Sequence, residues 1–334
     1  MTTSRPAPVA EDLARYPFPF PKDQYRYSTN VEPSGASTPT AAGSWGGHRI
    51  VVDRHYHREL AERDRILAAD PSRHQCLPHM EAAAWDAMLT VMGDLAQGYP
   101  EMELDRLEHH TYRWRNTLLG IDQIFVIGDS ASLPAPPLLY LSSQIQEDLV
   151  LLDQRESQLW GDAGVVTFAA DWSFGFDVGM SFLEIHGPVP RIHDEKIITR
   201  AHNFLMRLEP GQSYRRTNWT LTVDGKLDTS TETYPQWGRD RRTLADGPLE
   251  EVGDRLFLRT EVQHLIRLPH SGAIMFLIRT YLLPFAAIAS VPEWSLRLYR
   301  VLEDLPSDMA DYKGITRTRG PGLRWLREFG AVAP

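Results

Sequence analysis

One histidine precedes two closely spaced prolines, in the segment 184–190 with the sequence EIHGPVP. Proline cannot donate to a β-ladder, so we expect a strand to end here with His186 at its terminus. A short turn stiffened by prolines would hold the imidazole at one angle, as an axial metal ligand requires. The alternative interpretation is a core histidine whose ring bonds a carbonyl oxygen.

A second candidate site lies on the strand predicted for residues 255–268. Alternation places four polar side chains on one face of this strand, and they are Arg259, Glu261, Gln263 and Arg267. His264 falls on the other face, beside Val262 and Ile266. A polar face of this kind is either open to solvent or lines a site, and the sequence leaves both possibilities open.

The return strand, predicted for residues 273–283, adds Arg279 and Tyr281. A turn with an odd number of residues would place Gln263 opposite Arg279 and Glu261 opposite Tyr281. An even turn would break this pairing, and the sequence does not decide between them.

Other chemically capable residues lack a supporting context. His55 and His57 have a metal-like spacing, but no third ligand follows at a useful offset, so we expect a solvated helix start. Ser130 lies outside any nucleophile elbow. We find no glycine-rich dinucleotide fingerprint in the sequence.

The elements that must position these residues alternate between helices and strands. Apolar spacing predicts helices over residues 56–69, 80–97, 141–160, 193–208, 292–305 and 308–329. Extended segments are predicted over residues 112–129, 164–168, 182–185 and 214–223, together with the hairpin described above. This order predicts an α+β fold with an antiparallel sheet. Residues 1–47, rich in proline and small polar residues, predict an irregular arm ahead of one domain over residues 48–330.

Composition narrows the class of protein. The chain has 334 residues and a net charge of −9, which disfavours nucleic acid as a partner. Cys76 is the single cysteine, so the chain cannot ligate an iron–sulfur cluster through cysteines. The beginning of the sequence lacks signal-peptide chemistry, and no apolar run reaches the length of a membrane span. We therefore expect a cytoplasmic protein.

Four motifs together resemble the α-subunit family of the haem-dependent oxidative N-demethylases. They span roughly residues 50–310, and they are QEDL at 146–149, IHGPVP at 185–190, RTNW at 216–219, and EVQ at 261–263 with RLP at 267–269 and IRTY at 278–281. Each motif is short, and it is their order and spacing that make the resemblance specific. The segment 176–180 departs from the family pattern. This departure bears on the shape of the pocket and therefore on which substrate it accepts.

The resemblance implies a PAS-like antiparallel sheet wrapped by helices and enclosing haem b. It implies removal of a methyl group from a small secondary amine such as dimethylamine, using O2 and releasing formaldehyde. Electrons would come from NAD(P)H through the FMN and iron–sulfur cluster of partner reductase subunits.

Residue roles follow from joining this resemblance to the chemistry above. His186 is our choice for the iron ligand, whereas the family pattern places no histidine at His264. Arg216, Asn218, Arg267 and Arg279 are candidate polar partners of the haem, with the arginines suited to the propionates. Glu261, Glu232 or Tyr281 would meet an alkylammonium substrate, and we choose Glu261 and Tyr281 as catalytic candidates.

Two other functions fit the same residues. A haem-PAS sensor of gas or redox state would use the same pocket, although a sensor normally carries an output domain or a coiled-coil linker. A haem-free protein that binds small molecules would keep only the fold.

Overall fold

The computed structural model describes residues 10–192 and 195–330. Among these residues, the helices are α1 Ala10–Arg15, α2 Tyr56–Ala69, α3 Glu81–Gly98, α4 Pro137–Ser142, α5 Phe174–Asp177, α6 Phe182–Ile185, α7 Ile197–Met206, α8 Tyr234–Ala245, α9 Val252–Arg255, α10 Phe285–Ala289, α11 Pro292–Asp304, α12 Ser307–Tyr312 and α13 Thr316–Phe329. The strands are β1 Glu32–Pro33, β2 Ser37–Thr40, β3 Gly43–Gly46, β4 His74–Cys76, β5 Met102–Arg106, β6 Thr111–Asn116, β7 Ile121–Val126, β8 Asp148–Arg155, β9 Gln158–Val165, β10 Ser213–Val223, β11 Leu256–Arg267 and β12 Ile274–Pro284.

Seven strands form one sheet in the order β1-β10-β11-β12-β8-β9-β4, and every neighbouring pair is antiparallel. The strands β5, β6 and β7 form a second antiparallel sheet, and β2 pairs with β3. The expected α+β class with an antiparallel sheet is therefore confirmed. Every residue of β11 is buried, so its polar side chains cannot be a solvated outer face.

Helices cover both faces of the main sheet. On one side, α3 and α4 pack on one half of the sheet while α10, α11 and α13 pack on the other half. On the opposite side, apolar residues of α6 and α7 pack against Val150, Leu265 and Ile274. We call this second side the pocket face and the first side the core face.

Several predicted elements are confirmed with small changes at their ends. The helices predicted at 56–69 and 80–97 are α2 and α3, the strand predicted at 214–223 is β10, and the hairpin is β11 with β12. The extended segment predicted at 112–129 corresponds to β6 and β7. The helix predicted at 193–208 is α7, although residues 193–194 lie outside the described part of the chain. The C-terminal helices are α11, followed by α12 and α13.

The helix predicted at 141–160 is wrong. Only α4 is helical, and residues 148–165 form the hairpin β8–β9 instead. Glu156 and Ser157 make its turn with φ values of 53° and 59°. Two consecutive residues with positive φ match the twist of a tight antiparallel hairpin.

The strand predicted at 182–185 is also wrong, because these residues form the helical turn α6. Ser181 accepts a hydrogen bond from the Glu184 backbone N–H, and the Glu184 carboxylate accepts one from the Ser181 N–H. This reciprocal capping satisfies the donors of a helix start, so the segment turns rather than extends.

The N-terminal arm is more regular than expected over its described residues. It contributes α1, the short strand β1 and the hairpin β2–β3. Tyr16 donates a hydrogen bond to the carbonyl oxygen of Leu258 at 2.7 Å, and Phe18 stacks on Trp294 at 4.7 Å. The arm therefore adds aromatic side chains to the core face. In the described ranges, no helix is long and apolar enough to cross a membrane.

Candidate functional site

His186 ends the helical turn α6 and does not lie at a strand terminus. Two backbone bonds tie the preceding loop to the edge of the main sheet, from Gly161 N–H to Met180 at 2.9 Å and from Gly179 N–H to Gly161 at 2.8 Å. After His186, the Pro190 carbonyl oxygen accepts a hydrogen bond from the Tyr27 hydroxyl at 2.7 Å. The histidine is therefore anchored on both sides.

The His186 ring is oriented by a hydrogen bond to its own helical turn. Nδ1 lies 2.8 Å from the carbonyl oxygen of Phe182, and a carbonyl can only accept, so Nδ1 carries the proton. Nε2 is then left with a lone pair, and it makes no hydrogen bond to any residue in the described ranges. Burial lowers the pKa of His186 to about 4, opposed by the Phe182 carbonyl and reinforced by Arg216. The ring is a neutral, oriented electron-pair donor at neutral pH.

A connected polar patch lies on the pocket face, formed by Arg216, Asn218, Glu261 and Gln263. Arg216 pairs directly with Gln263 across β10 and β11, and Asn218 with Glu261, so all four side chains point to the same side. Arg216 Nη1 donates to Gln263 Oε1 at 3.0 Å, and Gln263 Nε2 donates to Glu261 Oε2 at 2.9 Å. Asn218 Nδ2 reaches the same Glu261 oxygen at 3.3 Å.

Arg259 lies beside this patch, on the same face of β11 as Glu261. Its guanidinium is fully buried, and its Nε donates to Glu261 Oε1 at 3.1 Å. Its Nη1 donates to the Leu227 carbonyl oxygen at 2.6 Å, and Nη2 also donates to Thr280 at 3.1 Å. A buried guanidinium requires a counter-charge, which Glu261 provides. Arg259 therefore fixes the position of the Glu261 carboxylate.

Lys313, which follows α12, reaches the polar patch and was missed by the sequence analysis. Its Nζ donates to the Trp219 carbonyl oxygen at 2.8 Å and lies 3.5 Å from Asn218 Oδ1. Burial lowers the pKa of Lys313 to about 8, and Arg216 lowers it further while Glu261 opposes both. No local motif surrounds this lysine, so only tertiary structure reveals its position.

Charge links His186 to the patch. Arg216 is close enough to lower the pKa of His186, and burial lowers the pKa of Arg216 itself, with Glu261 opposing. Burial raises the pKa of Tyr312, while Arg216 lowers it and Glu261 raises it further. The imidazole, two cations and one carboxylate therefore share one region, beside the apolar wall that α6 and α7 contribute.

Arg279 and Tyr281 do not belong to this region. The connection in the hairpin is even, because Arg267 pairs with Ile274 and six residues lie between them. Arg279 therefore pairs with Val262 and Tyr281 with Thr260, which places both on the core face. Arg279 binds Asp53 at 2.6 Å and Glu59 at 2.8 Å; burial would lower its pKa, but these carboxylates raise it.

Arg267 lies on the pocket face but its guanidinium is engaged in fixing α7. Its Nε donates to the Leu208 carbonyl oxygen at 2.7 Å, and Nη2 donates to those of Leu205 and Met206 at 3.2 Å. Nη1 donates to Gln154 and Gly272 at 2.7 and 2.6 Å. These bonds satisfy the free carbonyl groups at the end of a helix, so Arg267 has a structural explanation.

The remaining sequence candidates lie in other contacts. His264 is on the core face, with a buried Nδ1 that has no partner in the described ranges, and burial lowers its pKa to about 3. Glu232 bonds Ser173 and lies 3.9 Å from Arg73. His55 binds Asp12 at 3.1 Å, and His57 is exposed.

The pocket-face arrangement suits an anionic ligand that contains a metal. A neutral imidazole offers an electron pair, cations lie near it, and an apolar wall lies next to them. Comparison with known protein families agrees with this chemistry. The family model described as "Haem-dependent oxidative N-demethylase, alpha subunit-like" matches residues 42–322, and the chain belongs to that family.

Proposed function

We propose that this chain is the haem component of an oxidative N-demethylase that acts on a small secondary amine of the dimethylamine class. In the overall reaction, dimethylamine, O2, two electrons and two protons yield methylamine, formaldehyde and water. Membership of the family supports haem-dependent oxidative N-demethylation, and the amine and the products are our own assignment.

The observation that carries the proposal is the state of His186. Haem b fits this chain because a neutral imidazole presents Nε2 without a partner in the described ranges, while Nδ1 is locked by Phe182. When bound, haem iron supplies O2 binding and the oxidation of the substrate methyl group. His186 would hold the haem iron through Nε2.

We assign the haem propionates to Arg216, Asn218 and Lys313. Arg216 and Lys313 are cations held near each other by β10 and α12, and Asn218 lies between them. Charge-assisted hydrogen bonds from such groups favour carboxylates. We no longer assign Arg267 and Arg279 to the haem, as the sequence analysis did. Arg267 bonds carbonyl groups at the end of α7, and Arg279 is paired with two carboxylates.

Glu261 is our candidate for binding the substrate ammonium group. A carboxylate accepts more hydrogen bonds than the three that Glu261 receives, so it can take one more from an amine. Its partner Arg259 keeps it oriented. Tyr281 lies on the core face, so we no longer assign it a catalytic role.

Electrons must reach this site from outside the chain. We propose that NAD(P)H delivers them through the FMN and iron–sulfur cluster of partner subunits, consistent with the description of the family as an α subunit. We further propose that residues 48–330 form one cytoplasmic, PAS-like haem-binding domain with residues 1–47 as its arm.

The test is haem content followed by turnover. Protein expressed with adequate haem should contain about one haem per chain in a pyridine-haemochrome assay. With dimethylamine, O2 and a reductase it should release formaldehyde continuously. Haem binding without formaldehyde release would favour the sensor, whereas no stoichiometric haem after reconstitution would favour the haem-free binding protein.

A further inference from the structure

A histidine and two aspartates meet at the edge of the main sheet, away from the polar patch. His79 lies in the 3-10 turn Pro78–Met80, Asp153 on β8 and Asp162 on β9. One ligand atom from each lies within 4.8 Å of the others. His79 Nε2 is 2.9 Å from Asp162 Oδ2 and 3.9 Å from Asp153 Oδ2.

A β-bulge places Asp162 in this cluster. Leu151 pairs with Ala163 and Leu152 with Gly161, so Asp162 is the extra residue of the strand pair. Bulges redirect a side chain that regular alternation would send elsewhere. Asp162 is fully buried, and its Oδ1 has no hydrogen-bond partner among the described residues. A buried carboxylate oxygen without a partner is costly, which is an independent reason to expect a ligand here.

Arg155 is the cation that this cluster now holds. Its Nη1 bonds Asp153 at 2.7 Å and also bonds Asp162. The guanidinium lies over the Trp160 ring at 4.8 Å, and its side chain is 37% exposed. An exposed side chain can rotate into solvent without unfolding the strand. Two carboxylates against one guanidinium leave the cluster with an excess negative charge.

We propose that His79, Asp153 and Asp162 bind a divalent transition-metal ion such as Zn²⁺, which displaces the Arg155 guanidinium. An imidazole with carboxylates favours zinc over magnesium or calcium, which prefer oxygen ligands. Two-oxygen coordination by Asp162 would also satisfy its buried Oδ1. This site is independent of the proposed haem function.

The experiment is calorimetric titration of the purified full chain with Zn²⁺. One ion should bind per chain, and His79→Ala should weaken that binding by roughly tenfold or more. His79 is about half exposed, so this variant should remain folded. His57→Ala is the matched control, because it removes another exposed histidine that lies outside the cluster.

Arg155→Gln separates a metal site from an ordinary ion-pair cluster. If Zn²⁺ and the guanidinium compete, removing the guanidinium should tighten Zn²⁺ binding several-fold. Unchanged or weaker binding in this variant would overturn the proposal. Equal losses of Zn²⁺ affinity in the His79 and His57 variants would also overturn it. So would Zn²⁺ binding that only the Arg155 variant shows, because the guanidinium would then occupy the site in the native chain.

Discussion

The two ring nitrogens of His186 have different surroundings, and this difference defines what the residue can do. The Phe182 carbonyl oxygen holds the Nδ1 proton, so the free lone pair is on Nε2. The same hydrogen bond would be expected of a core histidine, which was the alternative interpretation of the sequence. His186 is partly exposed, so an incoming ligand can reach this ring, whereas the unpartnered Nδ1 of His264 is buried.

Replacing His186 with alanine should abolish stoichiometric haem binding, because the imidazole that the Phe182 carbonyl oxygen orients would be lost. The Soret spectrum and the pyridine-haemochrome content measure this directly. His264→Ala is the control, since His264 is another histidine of the domain but is buried on the core face. Loss of the haem spectrum in the His264 variant alone would refute the assignment.

Glu261→Gln should reduce both stability and turnover. Glu261 is 6% exposed and neutralises the fully buried Arg259, so the substitution should cost about 3 kcal/mol of unfolding free energy. Denaturant unfolding gives that value, and Glu250→Gln on the surface should stay within about 0.5 kcal/mol. Normal formaldehyde release by the folded Glu261 variant would remove this residue from the proposed substrate site.

Sequence could nominate individual residues of the proposed site but not assemble them. His186, Arg216 and Glu261 were found because their types and motif positions suggested chemistry. Arg279 and Tyr281 were grouped with them only on the assumption of an odd turn, and the six-residue connection places them on the other face. A shift of one residue reverses the face of every side chain, which the sequence of a turn does not always determine.

At the scale of elements, the hairpin β8–β9 shows why some strands are misread. Leu149 and Leu151 face one side of the sheet and Val150 and Leu152 the other, and all four are buried. A strand that is buried on both faces loses its alternation and can match helical spacing. Its turn uses glutamate and serine, rather than the asparagine or glycine that normally indicates such a turn.

The helical turn α6, by contrast, was predictable. Ser181 and Glu184 have the spacing of a capping box just before His186. The prolines after His186 suggested the end of a strand, but they are equally compatible with the end of a helix. Local capping chemistry was thus the better signal for the element that positions His186.

Arg267→Lys should destabilise the protein without changing its haem affinity. Lysine cannot reproduce the fork of hydrogen bonds that reaches three carbonyl groups around the end of α7, so we expect a loss of about 2 kcal/mol or more. Urea unfolding and haem titration measure the two effects. The exposed Arg207→Lys is the control. Weakened haem binding with unchanged stability would instead indicate that Arg267 binds a haem propionate.

Across the whole molecule, buried charges join segments that are distant in sequence. Gln146 Nε2 donates to Glu59 at 2.7 Å, Glu147 Oε1 accepts from the Val51 N–H at 2.9 Å, and Asp148 binds Arg63 at 2.9 Å. Three consecutive residues of one family motif therefore fasten α2 and the segment before it to β8. The residues of this motif therefore have a structural role, and no catalytic role is needed to explain them.

Glu147 should make stability depend on pH. Burial raises its pKa from 4.5 to about 7, with Arg279 opposing, so its contribution is fully present below pH 4.5 and is lost as the pH rises through 7. Relative to its difference from the wild type at low pH, Glu147→Gln should therefore gain about 3 kcal/mol of stability once the pH is well above 7. Unfolding curves at several pH values measure the difference. A difference that is independent of pH would contradict the prediction, and the exposed Glu250→Gln provides the baseline.

The lone chain should be inactive with NADPH and an amine, because the proposed reaction requires two electrons from outside. Its only cysteine is Cys76, so a conventional cysteine-ligated iron–sulfur cluster cannot form within it. The sequence also lacks a glycine-rich dinucleotide motif, which disfavours a nicotinamide site of the Rossmann type. We therefore expect a reductase to dock transiently on the surface, as weak redox partners do.

The measurement is formaldehyde production from dimethylamine, O2 and NADPH, with and without a reductase that carries flavin and an iron–sulfur cluster. Activity should appear only when the reductase is present and should saturate with its concentration, because docking limits electron delivery. It should also weaken at high salt if charged surface groups guide that docking. Sustained turnover by the lone chain would instead require an electron-entry site within these 334 residues. The proposed division of labour between subunits would then be wrong, although His186 could still hold the haem.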